Sequence, residues 1–483
     1  MNFAQKLFNV LNDFPSNEFA IHSGSQSITY SELENKILET ASHLNTLGIS
    51  GNEYVGILSN NSPEFVVLVL SLWMTGAIPV LISNRLLESE ISELLSLSSC
   101  KRIFISNELD GKYSSSGVQK FIFPFDNLNE KNDIQFNINL DSIALVIFTS
   151  GSTGKPKGVE ITFANLVQSA LIGNQYFGHQ KNDRWLASLP FYHVGGFSII
   201  VRAFLFGATL IFPESLDIKH LANAIKYFHP THASFVSTQL KRLIESGIKP
   251  NKELRQVLLG GGFIESSLIE SAIEKGWNVA KSFGATETCS FVSVLTSDQF
   301  SKRRESAGKA LPPNEIFILD ENKNIMPPGK TGEMVIKGNS VTKGYLNNPD
   351  ETKKKFSNGL YYTGDYGFLD ENGFLYVEAR RNDLIITGGE NVNPVEVETE
   401  LLKHPLINEV CVFSLMEQEW GQIIAAALVV KDNKTITLEE IKSFLNDKLA
   451  SFKHPKKILT IESLPKTELG KVQKEKLREM FKN

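Results

Sequence analysis

Cysteine is scarce in this chain: three residues in 483, Cys100, Cys289 and Cys411, far apart and with no CxxC pair. That excludes a disulfide framework and a thiolate zinc cluster, and it fits a reducing compartment. A strong charge of either sign is also missing. The net charge of −5 gives no general attraction to nucleic acid. No long apolar run goes uninterrupted. The stretch Phe65–Ile82 comes nearest to the ~20 residues that span a bilayer. However, Gly76 and Pro79 break it, and Ser71 and Thr75 dilute it. The spacing predicts a buried helix ending at Gly76, then a strand Ile78–Ile82. At the amino terminus Phe3, Leu7, Phe8 and Leu11 recur at helix spacing between polar residues, unlike a signal-peptide core. The expectation is a soluble cytoplasmic protein with neither a nucleic-acid nor a membrane partner. A GxxxxGK[ST] phosphate loop is absent too. Gly329-Lys330-Thr331 comes closest, but Asn324 stands where the first glycine belongs.

What is present is ordinary globular composition, 42% hydrophobic and 21% charged. The length suits several domain-sized units, or one large unit and a small one. One stretch stands out: Thr149, Ser150, Gly151, Ser152, Thr153, Gly154, Lys155, Pro156, Lys157 and Gly158. It follows the apolar run Ile143–Phe148, read as a buried strand, and precedes residues 159–166, read as the approach to a helix. Glycines let backbone N–H groups turn inward, hydroxyls add donors, and lysines supply charge. Such a loop suits a polyphosphate; a plain Gly/Ser turn is the simpler alternative.

Up to residue 145, strands and helices alternate, as in parallel α/β layers. A short hairpin over 19–30 leads to a helix for which Ser31 is the expected cap, with Glu32 and Glu34 in its first turn. A second helix–strand series follows the glycine loop, with a helix predicted over 198–206. Its strands end in loops carrying Gly260-Gly261-Gly262 and Gly284-Ala285-Thr286-Glu287. Loops at the carboxyl ends of parallel strands are where α/β sheets bind ligands. From about Gly308 short strands and turns predict a small β-rich subdomain. After the polar joint Arg380–Asp383, roughly 100 residues read as a small α+β unit, the size of a mobile lid. The fold class is therefore α/β. A large domain (1–380) combines two α/β layers with the β-rich subdomain, and a mobile α+β lid (381–483) follows. A homo-oligomer is compatible with this organisation.

Five stretches stand in a fixed order: TSGSTGKPKG, PFYHVGGF, SFGATET, YYTGD, and RRNDLIITGGENVNPVEVE with PKTELGK. Together they resemble the adenylate-forming superfamily of acyl-CoA synthetases, adenylation domains and luciferases, along essentially the whole chain. The resemblance implies that a carboxylic acid reacts with Mg·ATP to give an acyl-adenylate and pyrophosphate, after which coenzyme A displaces AMP. It assigns the opening loop, Thr149 to Lys155 and Lys157, to the departing phosphates. Thr286 would meet the phosphates, and Glu287 would help hold Mg²⁺, a hard cation suited to oxygen ligands. Gly260, Gly261 and Gly262 with Ser282, Phe283 and Gly284 would wall the adenine. Asp365 would take both ribose hydroxyls, as a two-oxygen acceptor can, and Arg380 would reach the ribose as well. Lys471 would bridge carboxylate and α-phosphate, where negative charge builds in the transition state. Asn382 falls at the family pivot, and Gly388, Gly389 and Glu390 would line the coenzyme A channel. Two positions depart from the usual pattern: Ala379 precedes Arg380 where glycine is common, and Phe283 stands where tyrosine often does.

Within the superfamily, LPFYHVGGF with Arg202, LRQVLLGGG, SAGK, the doubled Arg380-Arg381 and Trp420-Gly421-Gln422 resemble the o-succinylbenzoate–CoA ligases of menaquinone biosynthesis. Their acid carries a second, aromatic carboxylate that is recognised but not activated. His193 and Arg202 are the candidate readers of that group; a packed histidine and a structural ion pair are the plainer alternatives. Three other functions stay open: a ligase for another fatty or aromatic acid, an amino-acid-adenylating domain, and a nucleotide-binding regulator without catalysis. The second normally carries an acid that grips the substrate amine near PFYH, and none stands in Tyr192–Phe197.

Overall fold

The computed structural model describes residues 18–24, 26–114, 117–125, 128, 139–150, 156–180, 182–262, 264, 266–380, 385–431, 434–465 and 472–481. Of Ser150, Ala379 and Arg380 it describes only the backbone. The predicted amino-terminal helix lies outside these residues. Two compact units emerge: 1–84 with 94–148 and 158–379, and 85–93 with 149–157 and 380–483.

Two sheets build the larger unit. One has six strands in the order Gln119–Phe123, Arg102–Ser106, Tyr54–Leu58, Ile78–Ile82, Ile143–Ser150 and Pro156–Thr162. Its first five strands pair in parallel. The other sheet runs through the parallel strands Thr209–Phe212, Arg184–Leu186, His232–Phe235, Gln256–Leu259 and Val279–Ala285. Helices Tyr30–Thr46, Pro63–Thr75, Phe163–Phe177 and Val194–Leu205 share one core with residues of both sheets, including Val55, Leu81, Trp185 and Phe212. Helices Ile218–Phe228, Ser237–Glu245 and Ser266–Glu274 contribute to a second core with Phe235, Val257 and Trp277.

The helix and strand around Gly76 form as expected. Ser62 caps Pro63–Thr75 by accepting from Phe65 N–H, and Gly76 ends it at φ +79. Three expectations are corrected. Thr29, not Ser31, caps the first described helix, because its hydroxyl and the Glu32 carboxylate satisfy each other's backbone donors. The helix after PFYH starts at Val194 rather than Ser198, since Gly195 and Gly196 are taken into its first turn. Residues 156–162 form a strand before the next helix begins at Phe163. The β-rich region has its own core, around Ile316, Met334, Ile336 and Leu375. Yet its strands join the larger sheet edge to edge through Gly308–Ala310, which pairs with Ser290–Leu295 and Phe374–Arg380.

In the second unit Ile385–Thr387, Glu390–Val392, Ile407–Glu417, Gly421–Val430 and Lys457–Thr460 form one sheet. It packs with helices Pro394–Leu401 and Leu438–Leu445 around Val397, Val412, Leu428 and Ile441. The strands and helices predicted for this α+β segment are present. No helix of the described residues is long and apolar enough to cross a membrane.

Candidate active site

Residues 151–155 of the glycine loop lie outside the described residues, as do Asn382 and Lys471. Thr149 is half-buried near the end of the strand Ile143–Ser150, and Lys157 is buried at the start of the next. That second strand is stitched to a strap over residues 339–346. Leu346 N–H donates to Gly158 O at 2.7 Å and Glu160 N–H to Gly344 O at 3.2 Å. Asn165, at the first turn of the following helix, donates to Asn339 O and Val341 O.

The strap closes on Glu287. Thr342 N–H donates to Glu287 O at 2.9 Å, and the Tyr345 hydroxyl donates to Glu287 Oε1 at 2.8 Å. Tyr361 is buried, and it packs with Tyr345 around Phe356, at centroid distances of 5.1 and 5.5 Å. Burial and the Glu287 carboxylate drive both phenols far above their usual range, so they stay protonated donors. Glu287 itself is buried and Thr286 half-buried. The backbone here is specialised: Cys289 and Ser290 take φ +52 and +101, and a Cβ on Gly284 would stand 2.1 Å from Ser290 O.

Among the described residues no three His, Cys, Asp or Glu side chains cluster as a metal cage. A single acid beside hydroxyls still fits Mg²⁺, which keeps waters and takes one or two carboxylates with substrate phosphates. The Thr342 hydroxyl beside Glu287 is buried and has no partner among the described residues, as a site awaiting a polar ligand would leave it.

The adenine-wall residues come together at three adjacent strand ends. Gly260 N–H donates to Phe235 O at 3.2 Å. Ser282 Oγ donates to Leu259 O at 3.1 Å and would lie 2.6 Å from a Cβ on Gly260. Gly261 needs its φ of +84 to turn the chain away, while Gly262 follows it in the bend and Phe283 continues the neighbouring strand. Asp365 follows Gly364 in the strand Leu360–Leu369, and its N–H donates to Thr363 Oγ1 at 2.9 Å. Burial first, then the charges of Glu287 and Asp365 among others, raise the Tyr361 pKa, and Tyr361 stands four residues before Asp365 on the same strand. The backbone of Arg380 ends the strand Phe374–Arg380.

His193 and Arg202 are not brought to one point. His193 stands at the cap of the helix Val194–Leu205, with the Tyr192 ring 4.7 Å away. Nine residues along that helix amount to ~13 Å of rise. Arg202 is 1% exposed, and its three guanidinium nitrogens have no hydrogen-bond partner among the described residues. Instead Phe177, Trp185 and Phe291 surround it, with centroids 5.2, 5.0 and 5.5 Å from Cζ. Burial pushes its pKa down to about 9. The ion pair considered for it is therefore not seen among the described residues. Neighbouring His179 accepts from Trp185 Nε1–H at 2.9 Å and stacks on His232 at a centroid distance of 5.2 Å.

In the second unit, Gly388 and Gly389 turn the chain at φ +57 and +87. A Cβ on Gly388 would meet the Trp420 ring at 2.8 Å, which accounts for glycine and tryptophan together. Buried Glu390 pairs with Arg85 at 2.9 Å.

Sequence reasoning missed Tyr345 and Asn61, and gave no role to Tyr361 although it opens the YYTGD stretch. Asn61 holds the PFYH loop, donating to Leu189 O at 2.8 Å and accepting from Phe191 N–H at 2.9 Å. Tyrosines inside apolar segments read as core, and an asparagine after a strand reads as a turn. Their partners lie far away in sequence.

A buried acid gripped by hydroxyls, a glycine wall at the ends of parallel strands and a separate small domain define a nucleotide-using α/β enzyme. The chain belongs to the AMP-binding enzyme family: that family's model matches residues 7–346, and the model of the AMP-binding enzyme C-terminal domain matches 396–471. It is 36% identical over 464 residues to the 2-succinylbenzoate–CoA ligase of Bacillus cereus, covering 95% of each chain. Among solved structures, it is similar to o-succinylbenzoate CoA synthetase of Bacillus subtilis bound to a product analogue (TM-score 0.91, 32% identity, 98% of each chain). The same Bacillus subtilis enzyme with ATP and magnesium ion matches at TM-score 0.75 and 31% identity, over 99% of each chain.

Proposed function

We propose that this chain is an o-succinylbenzoate–CoA ligase: it activates the acid with Mg·ATP as an acyl-adenylate, then transfers the acyl group to coenzyme A, releasing AMP. The observation that carries this reading is the likeness to a 2-succinylbenzoate–CoA ligase over 95% of both chains. Every motif residue the chemistry needs is present in the sequence: Glu287, Asp365, Arg380 and Lys471.

The chain's residues divide the work. The loop 149–157 holds the phosphates that leave. Gly260–Gly262 with Ser282 and Phe283 take the base, and Asp365 takes the ribose diol. Glu287 and Thr286 hold Mg²⁺ and phosphate; the cation supplies charge neutralisation on the phosphate oxygens. Lys471 pairs carboxylate with α-phosphate and stabilises the charge that grows there. After adenylation the channel residues Gly388, Gly389 and Glu390 admit the thiol, with Asn382 as the pivot between half-reactions. Arg202 is the favoured reader of the second carboxylate, because a buried guanidinium without a polar partner binds an anion at little further desolvation cost to itself. His193 is left to shape the acid channel from the helix cap.

Acid-dependent exchange of radiolabelled pyrophosphate into ATP, without coenzyme A, tests the first half. o-Succinylbenzoate is expected to support exchange at least ~10-fold better than benzoate or octanoate, a difference of about 1.4 kcal/mol. Equal exchange with all three would leave a general acyl-CoA ligase, and no exchange with any acid would point to a non-catalytic nucleotide binder.

A further inference from the structure

We propose that Tyr345 and Tyr361 are positioning residues for the metal site: their hydroxyls fix the Glu287 carboxylate in the one orientation that meets a nucleotide-bound divalent cation. This rests on the ligase reading above, and it assigns a role to Tyr345, outside the signature stretches, and to Tyr361, the first residue of YYTGD.

Tyr345 Oη donates to Glu287 Oε1 at 2.8 Å, and the buried Tyr361 phenol is raised in pKa by burial first and then by the Glu287 carboxylate. The carboxylate and the two phenols make one polar cluster beside an apolar wall. Phe356 supports it from behind, stacked on Tyr361 at a centroid distance of 5.1 Å and edge-on to Tyr345 at 5.5 Å. A carboxylate offers about four lone-pair sites. The Tyr345 donor occupies one of them and restrains rotation, Tyr361 beside it would take a second, and the remainder stay available to a cation. A lone glutamate in a short turn would otherwise sample several rotamers, and each lost rotamer would be charged to metal binding.

The two tyrosines reach Glu287 from different places. Tyr345 belongs to the strap stitched to Gly158 and Glu160, just beyond the glycine loop. Tyr361 stands four residues before Asp365 on one strand. Glu287 is thus indexed at once to the strand that leaves the phosphate loop and to the strand that carries the candidate ribose acid. One nucleotide would have to satisfy all three. Plain packing would need the two rings but not their hydroxyls, so Tyr→Phe separates the alternatives.

The experiment is calorimetric titration of ATP into the full chain, with Mg²⁺ and with EDTA, for wild type, Tyr345→Phe, Tyr361→Phe and Glu287→Gln. Wild type is expected to bind ATP more tightly with Mg²⁺. Each Tyr→Phe variant is expected to lose ~10-fold or more of that gain, the usual penalty for removing a group that orients a metal ligand, while keeping its affinity for metal-free ATP. Tyr345→Phe added to Glu287→Gln is expected to cost nothing further, because both act through one carboxylate. The inference is overturned if both Tyr→Phe variants keep the full Mg²⁺ gain, or if they weaken metal-free ATP binding equally. Should Tyr345→Phe fail to fold, Tyr361→Phe decides alone. If wild type shows no Mg²⁺-dependent ATP binding, the functional reading fails as well as this inference.

Discussion

The guanidinium of Arg202 lies 5.0 Å from the centre of the Trp185 ring, and its nitrogens have no hydrogen-bond partner among the described residues. Cation–π contacts with three rings recover a few kcal/mol at most, less than the cost of burying a charge without a polar partner. Arg202 is therefore retained at a cost to stability. We predict that Arg202→Met raises the urea midpoint, by about 1–4 kcal/mol of stability. The same change is expected to raise KM for o-succinylbenzoate at least ~10-fold and leave KM for ATP unchanged. Unchanged KM for the acid with lower stability would make Arg202 a structural pillar instead.

Lys471 is expected to serve only the first half-reaction. Lys471→Ala should lower adenylate formation by about 10²–10³, the usual loss when one charge-stabilising donor is removed. Thioester formation from preformed acyl-adenylate should stay within a few-fold of wild type. Rapid-quench measurement of each half separates the two, and equal loss in both would contradict the assignment.

The SFGATE turn tolerates no side chain at Gly284. A Cβ there would meet backbone, Ser290 O at 2.1 Å and Phe291 Cα at 2.5 Å. Overpacking against backbone costs about 1–3 kcal/mol. Gly284→Ala should lower the urea midpoint accordingly and weaken ATP binding. Gly373→Ala makes a contrast: it has φ +75 but nothing within 4 Å. That substitution should cost stability through backbone strain alone and leave ATP binding intact.

Acid sensitivity should arise at His179. Burial first, then His232, Arg202 and Arg255, push its pKa from 6.5 down to about 2. The unfolded imidazole takes a proton below about 6.5, whereas the folded one does not until far lower pH. Its contribution is thus complete above pH 6.5 and is lost as pH falls toward 2. His232 is lowered as well, chiefly by burial, and acts in the same direction. His179→Gln can still accept from Trp185 Nε1–H. It should flatten the fall in stability between pH 7 and pH 5, measured as urea midpoints, without abolishing it.

The fold was largely legible because its signals are local. Gly76 and Pro79 punctuate the helix and strand between Phe65 and Ile82, and the parallel strands read as short apolar runs. Helix starts were less legible where two caps compete. Thr29 outbids Ser31 because Glu32 completes its box, and Gly195-Gly196 looked like a loop. A Cβ on Gly196 would stand 2.0 Å from Pro190 O, so close packing, not flexibility, explains glycine there. The site was legible wherever residues sit in contiguous motifs, as Glu287 and Asp365 do. Tyr345 and the box of Phe177, Trp185 and Phe291 around Arg202 were not. They are assembled by sheet register and helix packing from segments far apart, and single tyrosines or phenylalanines carry no signal of their own.

The central claim is substrate identity, and direct competition tests it most cleanly. The full chain is mixed with ATP, Mg²⁺, limiting coenzyme A and equal concentrations of o-succinylbenzoate, benzoate and octanoate. The thioesters formed are then resolved by mass spectrometry. The account predicts o-succinylbenzoyl-CoA as the dominant product, at least ~10-fold over either competitor. A mixture in proportion to the acids supplied, or a dominant benzoyl- or octanoyl-CoA, would contradict it.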